Sequence, residues 1–440
     1  MTARWHLPAL GAALVALTAA GLSLHIPGTD TLSQPRLYVF VSILAVAGVV
    51  WAASVRLVLR GSTNGQLLAV LIAAAAMRAI VLPGPPFLSS DIFRYVWDGR
   101  VQNAGINPYR YIPSDPALAK LRDDAIYPHI GRKEYAPTIY MPAAQLIYRA
   151  VAAISPTVLA MKIAMVGVEC IAIACMLVML RRARLPLVRV LIYAWNPLAV
   201  WCNASDGHVD ALALGLLALA MLARAFHRNA ATGIALAAAT LTKLIPLVAF
   251  PALWRRWDWR MPAAFVATVL LLYAPFLGIG ARVFGFLPGY AQEEGIAKGT
   301  GLWLLDGIGQ LATLPHAALL AYGAFVAVVL GAISWRFAFA PPAPDVAADT
   351  TRMGGQVAVL GAAFTALLSP HYEWYFPWLA FPCCLATLSS VLWLSIAPMI
   401  LYLNPWEERF WWPSLIFVPF AVLAARDVLG TQRKARCRTP

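Results

Sequence analysis

The sequence predicts an all-α polytopic membrane protein, and three observations carry that prediction. The residues are 61% hydrophobic and only 12% charged, with a mean hydropathy of +0.71, a balance outside the range of ordinary soluble domains. Apolar runs of roughly twenty residues, the length that crosses a bilayer as a helix, recur from end to end of the chain. The two-residue alternation of an outer-membrane barrel is absent.

Taken in order, spans are expected at 7–24, 37–58, 66–83, 151–180, 186–202, 208–226, 230–253, 262–280, 312–334, 353–369, 374–390, 391–404 and 412–427. That is about 12–14 transmembrane or half-spanning helices in a single domain over 1–440. The first run is followed by further spans and shows no small-residue cleavage site, so it reads as a retained helix rather than a signal peptide. Basic residues orient the spans. Arg56 and Arg60, then Arg181, Arg182, Arg184 and Arg189, then Arg224 and Arg228, then Arg255, Arg256 and Arg260 mark cytoplasmic loops, because short cytoplasmic loops concentrate Lys and Arg. A basic tail at 428–440, with Arg433, Lys434, Arg436 and Arg438, joins them. Alternate threading puts 84–150, 203–207, 281–311, 370–373 and 405–411 outside. Fifteen of the twenty acids, from Asp30 to Glu408 and including Glu407, fall in or beside these outer segments. The acidic chemistry therefore belongs to the extracytoplasmic face. The net charge of +14 follows from topology, and no nucleic acid partner is expected. The six cysteines, Cys437 among them, show neither CxxC nor His/Cys ligand spacing, so neither a zinc site nor a disulfide framework is expected.

Three segments depart from simple crossing. The extracytoplasmic loop 84–150 is too long for a passive connector, and helices lying along the membrane surface are expected near 91–103 and 115–125. Residues 230–253 have basic loops on both sides yet are too few for two crossings. Their middle, Leu241-Thr242-Lys243-Leu244-Ile245-Pro246, disfavours a continuous helix, so a helical hairpin with Lys243 near its apex is expected. Broken helices at membrane depth are tolerated where they line a cavity. The stretch 338–352, rich in Pro and Ala, reads as a cytoplasmic linker.

The polar residues that an apolar chain keeps beside its membrane segments are the candidates for chemistry. Asp91 follows Ser89-Ser90 where the third span ends. On a helix from Asp91 to Gly99, the side chains of Asp91, Arg94, Tyr95 and Asp98 share one face. The plain alternatives are helix capping and an Asp91–Arg94 salt bridge. Asn203 to Asp210 packs Ser205, Asp206, His208 and Asp210 at a helix start, either as a cap or as a cavity wall. Ser369 to Tyr375 brings His371 beside Glu373, amid aromatics of the kind that belt an interface. Lys243 is either snorkelling or aimed at an anion. Glu169, inside a span, is expected to pair with a basic neighbour. Phosphate-loop, dinucleotide, zinc-protease and kinase signatures are absent, so no cytosolic nucleotide site is expected, and no cofactor.

Several of these runs are similar to a known group. They are Asp91-Ile92-Phe93-Arg94-Tyr95-Val96-Trp97-Asp98-Gly99-Arg100, Gly105-Ile106-Asn107-Pro108-Tyr109-Arg110-Tyr111 and Pro137-Thr138-Ile139-Tyr140-Met141-Pro142. Trp195-Asn196-Pro197, Gly207-His208-Val209-Asp210, the Lys243 segment and Ser369–Tyr375 follow in the same order. Together they resemble the bacterial polytopic glycosyltransferases of the GT-C superfamily. The nearest likeness is to polyprenyl-phosphate-mannose-dependent mannosyltransferases and glycosyltransferase family 87-like proteins. The resemblance runs from about 85 to 380.

What the resemblance implies is specific. The fold is GT-C-like, in a bacterial inner membrane, with the active site facing the periplasm. The reaction is an inverting transfer of a hexose, mannose by preference, from a polyprenyl-phosphate donor to a glycolipid or glycan acceptor. Asp91 is the base. Lys243, His371, Arg94 and Arg100 attend the donor phosphate. Tyr95, Asp98, His208, Asp210, Tyr372 and Glu373 shape the sugar and acceptor pocket. Ser90 stands where relatives often carry a second acid, which argues against a metal-bridged mechanism, and Val209 stands where they often carry Asn. The chemistry is sound by itself: a carboxylate can take the proton of an attacking hydroxyl, and cations can stabilise a departing phosphate. A lipid-linked sugar flippase is the alternative from another class, and a ligase moving a preassembled glycan is a third.

Overall fold

The computed structural model describes residues 6–26, 32–61, 64–86, 88–295, 299–315, 317–404, 408 and 410–436. Asp30, Glu407, Cys437 and Arg438 lie outside the described residues. All regular structure among the described residues is helical, so the protein is an all-α polytopic membrane protein.

Helices α1 (His6–Leu22), α2 (Gln34–Leu59) and α3 (Leu67–Val81) pack together at the start of the chain. Gly11 permits that packing, since a Cβ there would lie 3.0 Å from both the Ala73 methyl and the Trp195 ring. Small residues let helices approach closely where no water drives them together. After α3 the chain turns along the surface through α4 (Asp91–Asn103), two short 3₁₀ turns at Pro116–Leu121 and Tyr127–His129, and α5 (Pro142–Ile154). Helix α6 (Val158–Arg182) starts at Thr157, whose side chain accepts from the Ala160 amide at 3.2 Å. The expected span 151–180 is therefore two helices, divided at Pro156, where the proline favours extended backbone before it.

The next segment is broken. It runs through α7 (Leu191–Ala194), α8 (Pro197–Ala199) and a π-helical turn at Val200–Ser205, then bends by 113° into α9 (Asp210–Ala225). Trp195-Asn196-Pro197 has a structural job here. The Trp195 indole donates to the Val70 carbonyl at 2.8 Å, and the Asn196 side chain caps the Ala199 amide at 3.0 Å. Beneath it, Arg78 meets Glu169 at 2.7 Å, and the Tyr193 hydroxyl donates to the same carboxylate at 2.6 Å. All three are buried, so the ions compensate each other inside the apolar core.

Helix α10 (Asn229–Thr240) stops at Leu241, and a 3₁₀ turn at Ile245–Ala249 leads into α11 (Phe250–Leu253). Arg224, before this segment, and Arg255, after it, both bond the Asp349 carboxylate, at 3.0 and 3.1 Å. Its two ends therefore lie on one side of the protein. Its middle meets the start of α5, where the Ala143 amide donates to the Leu241 carbonyl at 3.0 Å. The chain then forms α12 (Arg260–Tyr273), a 3₁₀ stretch at Ala274–Phe284, α13 (Leu287–Glu293), α14 (Trp303–Gly309), α15 (Ala318–Ala338) and α16 (Val346–Leu368). The expected linker 338–352 is partly helix, because Asp345 caps α16 at the Ala348 amide. Three shorter pieces follow, α17 (Ala380–Cys383), α18 (Ser389–Leu394) and a 3₁₀ turn at Ala397–Leu403, before α19 (Trp411–Arg436). The basic tail is thus helical as far as Arg436.

Among the described residues, five segments are long and apolar enough to cross a bilayer alone: 34–59, 158–182, 260–293, 318–338 and 411–430. The bent pair around α8 and α9 makes a sixth. His6–Leu22, Leu67–Val81 and Ser389–Leu403 are apolar but shorter. The expected span 374–390 is a series of short turns, because Pro377 and Pro382 interrupt it.

Candidate active site

Asp91 is the first residue of α4, and the chain is fixed on both sides of it. Lys162, on α6, donates to the Val81 carbonyl at 3.0 Å and the Gly84 carbonyl at 2.6 Å. This satisfies the open end of α3 with a cation, as helix C-termini favour, and holds the loop that delivers Ser89 and Ser90. On the other side Gly207, at φ +66°, leaves room for Ile92; a Cβ there would lie 2.4 Å from the Ile92 Cδ1. Ser90 makes no side-chain cap; the Ser89 hydroxyl accepts from the Asp91 amide at 3.3 Å.

The Asp91 carboxylate accepts a hydrogen bond from the Tyr140 hydroxyl and feels the charges of Lys243, Arg132 and Arg94. Part of its surface stays open. Desolvation by the surrounding protein outweighs those attractions and pushes its carboxyl above the ordinary aspartate range. Burial and the adjacent Asp91 charge keep the Tyr140 phenol protonated well above its usual range, so it remains a donor.

Lys243 sits at the break in the re-entrant segment. Its Nζ lies 2.7 Å from both Asp210 oxygens and 3.9 Å from the centre of the Tyr375 ring. An ammonium has three N–H donors, so the pair with Asp210 leaves one. A narrow apolar slot of about 20 Å³ lies against the pair, between Leu214, Leu217, Ile245, Pro246 and Trp378.

Arg132 closes the other side. It adopts a left-handed backbone at φ 56°, bonds Glu293 at 2.7 Å and reaches the Tyr372 hydroxyl. Burial and the Glu294 charge push the Tyr372 phenol up to about 12. Tyr372 stacks on Trp374 with centroids 4.4 Å apart, and Trp374 stacks on His208 at 4.3 Å. Glu373, buried and bonded to Tyr402, is pushed up to about 8 by desolvation, with the Asp91 charge adding to the rise.

Asp91, Lys243, Asp210 and the adjacent Tyr372 and Glu373 are thus drawn together from four places in the chain. Other expected site residues are engaged elsewhere. Arg94 bonds Asp98 at 2.9 Å and the Ala136 carbonyl at 3.2 Å. Asp98 is buried and also accepts from Thr138 and Gln145, so its carboxylate ties α4 to α5 rather than facing a sugar. The expected Asp91–Arg94 bridge is replaced by this Arg94–Asp98 pair. Arg100 lies about half a turn around α4 from Asp91 and bonds Asp123 and the Pro156 carbonyl, away from a donor phosphate. His371 has Nδ1 3.0 Å from Glu294 and Nε2 2.8 Å from the Gly301 carbonyl. Both ring nitrogens lie within hydrogen-bond distance of protein oxygens, so a phosphate would have to displace one of them. Tyr95 is fully buried, stacked on Tyr148 at 4.7 Å, and supports Tyr140 from below. Glu169, expected to find a basic partner, has Arg78.

Sequence inspection missed Arg132, Tyr140, Tyr375 and Lys162. Tyr140 stands in the Pro137–Pro142 run, so its motif was visible although its partner was not. A non-glycine left-handed residue such as Arg132 leaves no comparable trace.

A family model described as "Alpha-(1->6)-mannopyranosyltransferase, N-terminal domain" matches residues 5–258. That stretch carries Asp91, Arg132, Tyr140, Asp210 and Lys243. No curated protein and no solved structure matches the chain.

Proposed function

The chain belongs to this alpha-(1->6)-mannopyranosyltransferase family, and on that premise we propose how and where it transfers mannose. The donor is a polyprenyl-phosphate mannose and the acceptor a glycolipid or glycan, met on the extracytoplasmic face of a bacterial inner membrane. Asp91 is the base. The observation that carries this is the Asp91 carboxylate itself: partly open, bonded to Tyr140, and facing Lys243 and Arg132.

The steps follow from those contacts. An acceptor hydroxyl oxygen attacks the anomeric carbon from the face opposite the phosphate. The bond from that carbon to the phosphate oxygen breaks, and the polyprenyl phosphate leaves with the electron pair. The hydroxyl proton passes to Asp91. A raised pKa makes Asp91 a stronger base while it remains ionised. Arg132 and the third N–H of Lys243 attend the leaving phosphate, in place of His371 and Arg100. The apolar slot beside Lys243 suits the first part of a hydrocarbon chain. The Tyr372–Trp374 stack offers a flat ring face to a sugar.

The test uses full-length protein in lipid with radiolabelled polyprenyl-phosphate mannose and an envelope glycolipid fraction. Label moving to a new lipid product supports the assignment. Label crossing the membrane of sealed vesicles without any new product would favour a flippase instead. Arg132→Gln is expected to raise the donor KM by roughly tenfold or more, the worth of a charged hydrogen bond. An unchanged KM would remove Arg132 from the phosphate site.

A further inference from the structure

A second cavity, of about 290 Å³, lies between the first outer loop and the outer end of the α12 span. Tyr109, Arg110, Ile112, Pro137, Arg282 and Gly285 line it. Two of the six are arginines and none is an acid. Neither guanidinium has an ion pair among the described residues; Arg110 only rests 5.9 Å from the Tyr111 ring centre. Both arginines are exposed, and an oxyanion held at the lining they share would be attracted to both charges. Guanidinium forks suit phosphate oxygens in particular.

The walls are fixed. The Tyr109 hydroxyl donates to the Tyr140 carbonyl at 2.8 Å, and its ring meets Phe276 edge-on at 5.4 Å. The Asn107 amide donates to the Phe276 carbonyl at 3.2 Å. Gly285 is held at φ +55° against the outer loop, where a Cβ would lie 1.9 Å from the Thr138 carbonyl oxygen. The next amide, of Phe286, donates to that same oxygen at 3.0 Å. The setting is apolar: Leu277 and Phe284, on the same segment as Arg282, are 57% and 55% exposed. They continue the outward surface of the 260–293 span.

We propose that this cavity is a second anion subsite, which takes the phosphate of an anionic lipid headgroup. The arginines hold the phosphate, and the exposed apolar flank receives the acyl chains. Lys243, Arg132 and Arg94 are the cations whose charges act most on Asp91, and none of them lines this cavity. It is not remote, since Tyr109 is bonded to Tyr140, and Tyr140 to Asp91. The proposal stands on the cavity and is read by binding, independently of sugar transfer.

The experiment is retention of labelled phosphatidylglycerol by the purified full-length protein in phosphatidylcholine nanodiscs. Wild type is expected to enrich the anionic lipid. R110Q/R282Q is expected to lose that enrichment by roughly tenfold, as for two charged hydrogen-bonding partners. R56Q/R60Q, which removes two exposed arginines elsewhere, is expected to keep it. Each single variant, R110Q and R282Q, gives an intermediate loss, which keeps the test valid even where the double variant unfolds. Equal enrichment in wild type and all three cavity variants would overturn the proposal. Displacement by millimolar inorganic phosphate would make the site one for a free anion, and displacement by polyprenyl-phosphate mannose would make it the donor's. Either result would also overturn the proposal.

Discussion

As the proposed base, Asp91 has to be ionised yet poorly solvated, and its neighbours act on both conditions. Burial raises its pKa, while Tyr140, Lys243, Arg132 and Arg94 keep its charge supported. Transfer is therefore expected to fall on the acid side as Asp91 gains its proton, over a pH range above that of an ordinary aspartate. Asp91→Asn is expected to lower the transfer rate by about 10²–10⁴-fold, the usual worth of a general base, with donor binding retained. Glu373 works in the opposite direction. Its carboxyl, pushed up to about 8, is neutral at pH 7 and gains its charge as pH rises through that value. The Asp91 charge adds to the rise of Glu373, so the two are coupled, and a new negative charge on Glu373 opposes a phosphate donor; a pH–rate profile is therefore expected to decline above about pH 8. Glu373→Gln is expected to remove that decline. An alkaline limb left unchanged in Glu373→Gln would detach Glu373 from the pocket. Tyr372, pushed up to about 12, stays neutral throughout this range.

At the scale of elements, the candidate site depends on α4 being pressed against α5 and on the segment 229–253 meeting the start of α5. Gly99 makes the first contact, since a Cβ there would lie 2.4 Å from the Tyr148 carbonyl oxygen. Gly99→Ala is expected to destabilise the protein by about 1–3 kcal/mol through overpacking, read as a lower thermal midpoint in detergent. An unchanged midpoint would show that α5 can retreat. The sequence carried some of these arrangements openly. Basic loops on both sides of 230–253, with Pro246 in its middle, lead to the expectation of a hairpin; in the structure α10 stops at Leu241, and Arg224 and Arg255 share the Asp349 carboxylate. Helix lengths were less visible. Hydropathy registers an apolar run whether it forms one span or several turns, so the breaks at Pro156, Pro377 and Pro382 were hidden within runs. Polar roles were hidden for another reason. The shared face of Asp91, Arg94, Tyr95 and Asp98 follows from spacing alone, but Asp98 is taken by Thr138 and Gln145, 40 and 47 residues away. His371 is likewise claimed by residues 77 and 70 positions distant. Local patterns find the helix face; distant partners decide what each group on it is free to do.

Across the whole molecule, three polar groupings stand out: the Arg224–Asp349–Arg255 cluster, the candidate site around Asp91, and the buried Arg78–Glu169 pair. The last of these ties α3, α6 and the Tyr193 segment together. Glu169→Ala is expected to cost about 3–5 kcal/mol because it leaves the Arg78 charge buried without a partner. Glu169→Gln, which can still accept a hydrogen bond, is expected to cost less. Unfolding midpoints of the two variants check the order, and equal midpoints would argue against an ionic role. On the proposed reading, the group around Asp91 carries the function. The most direct measurement is the initial rate of mannose transfer from labelled polyprenyl-phosphate mannose by wild type and Asp91→Asn in the same lipid, with donor binding measured alongside. The expected result is full donor binding by both proteins and a new labelled glycolipid from wild type alone. Transfer by Asp91→Asn at the wild-type rate would contradict the assignment of Asp91 as the base.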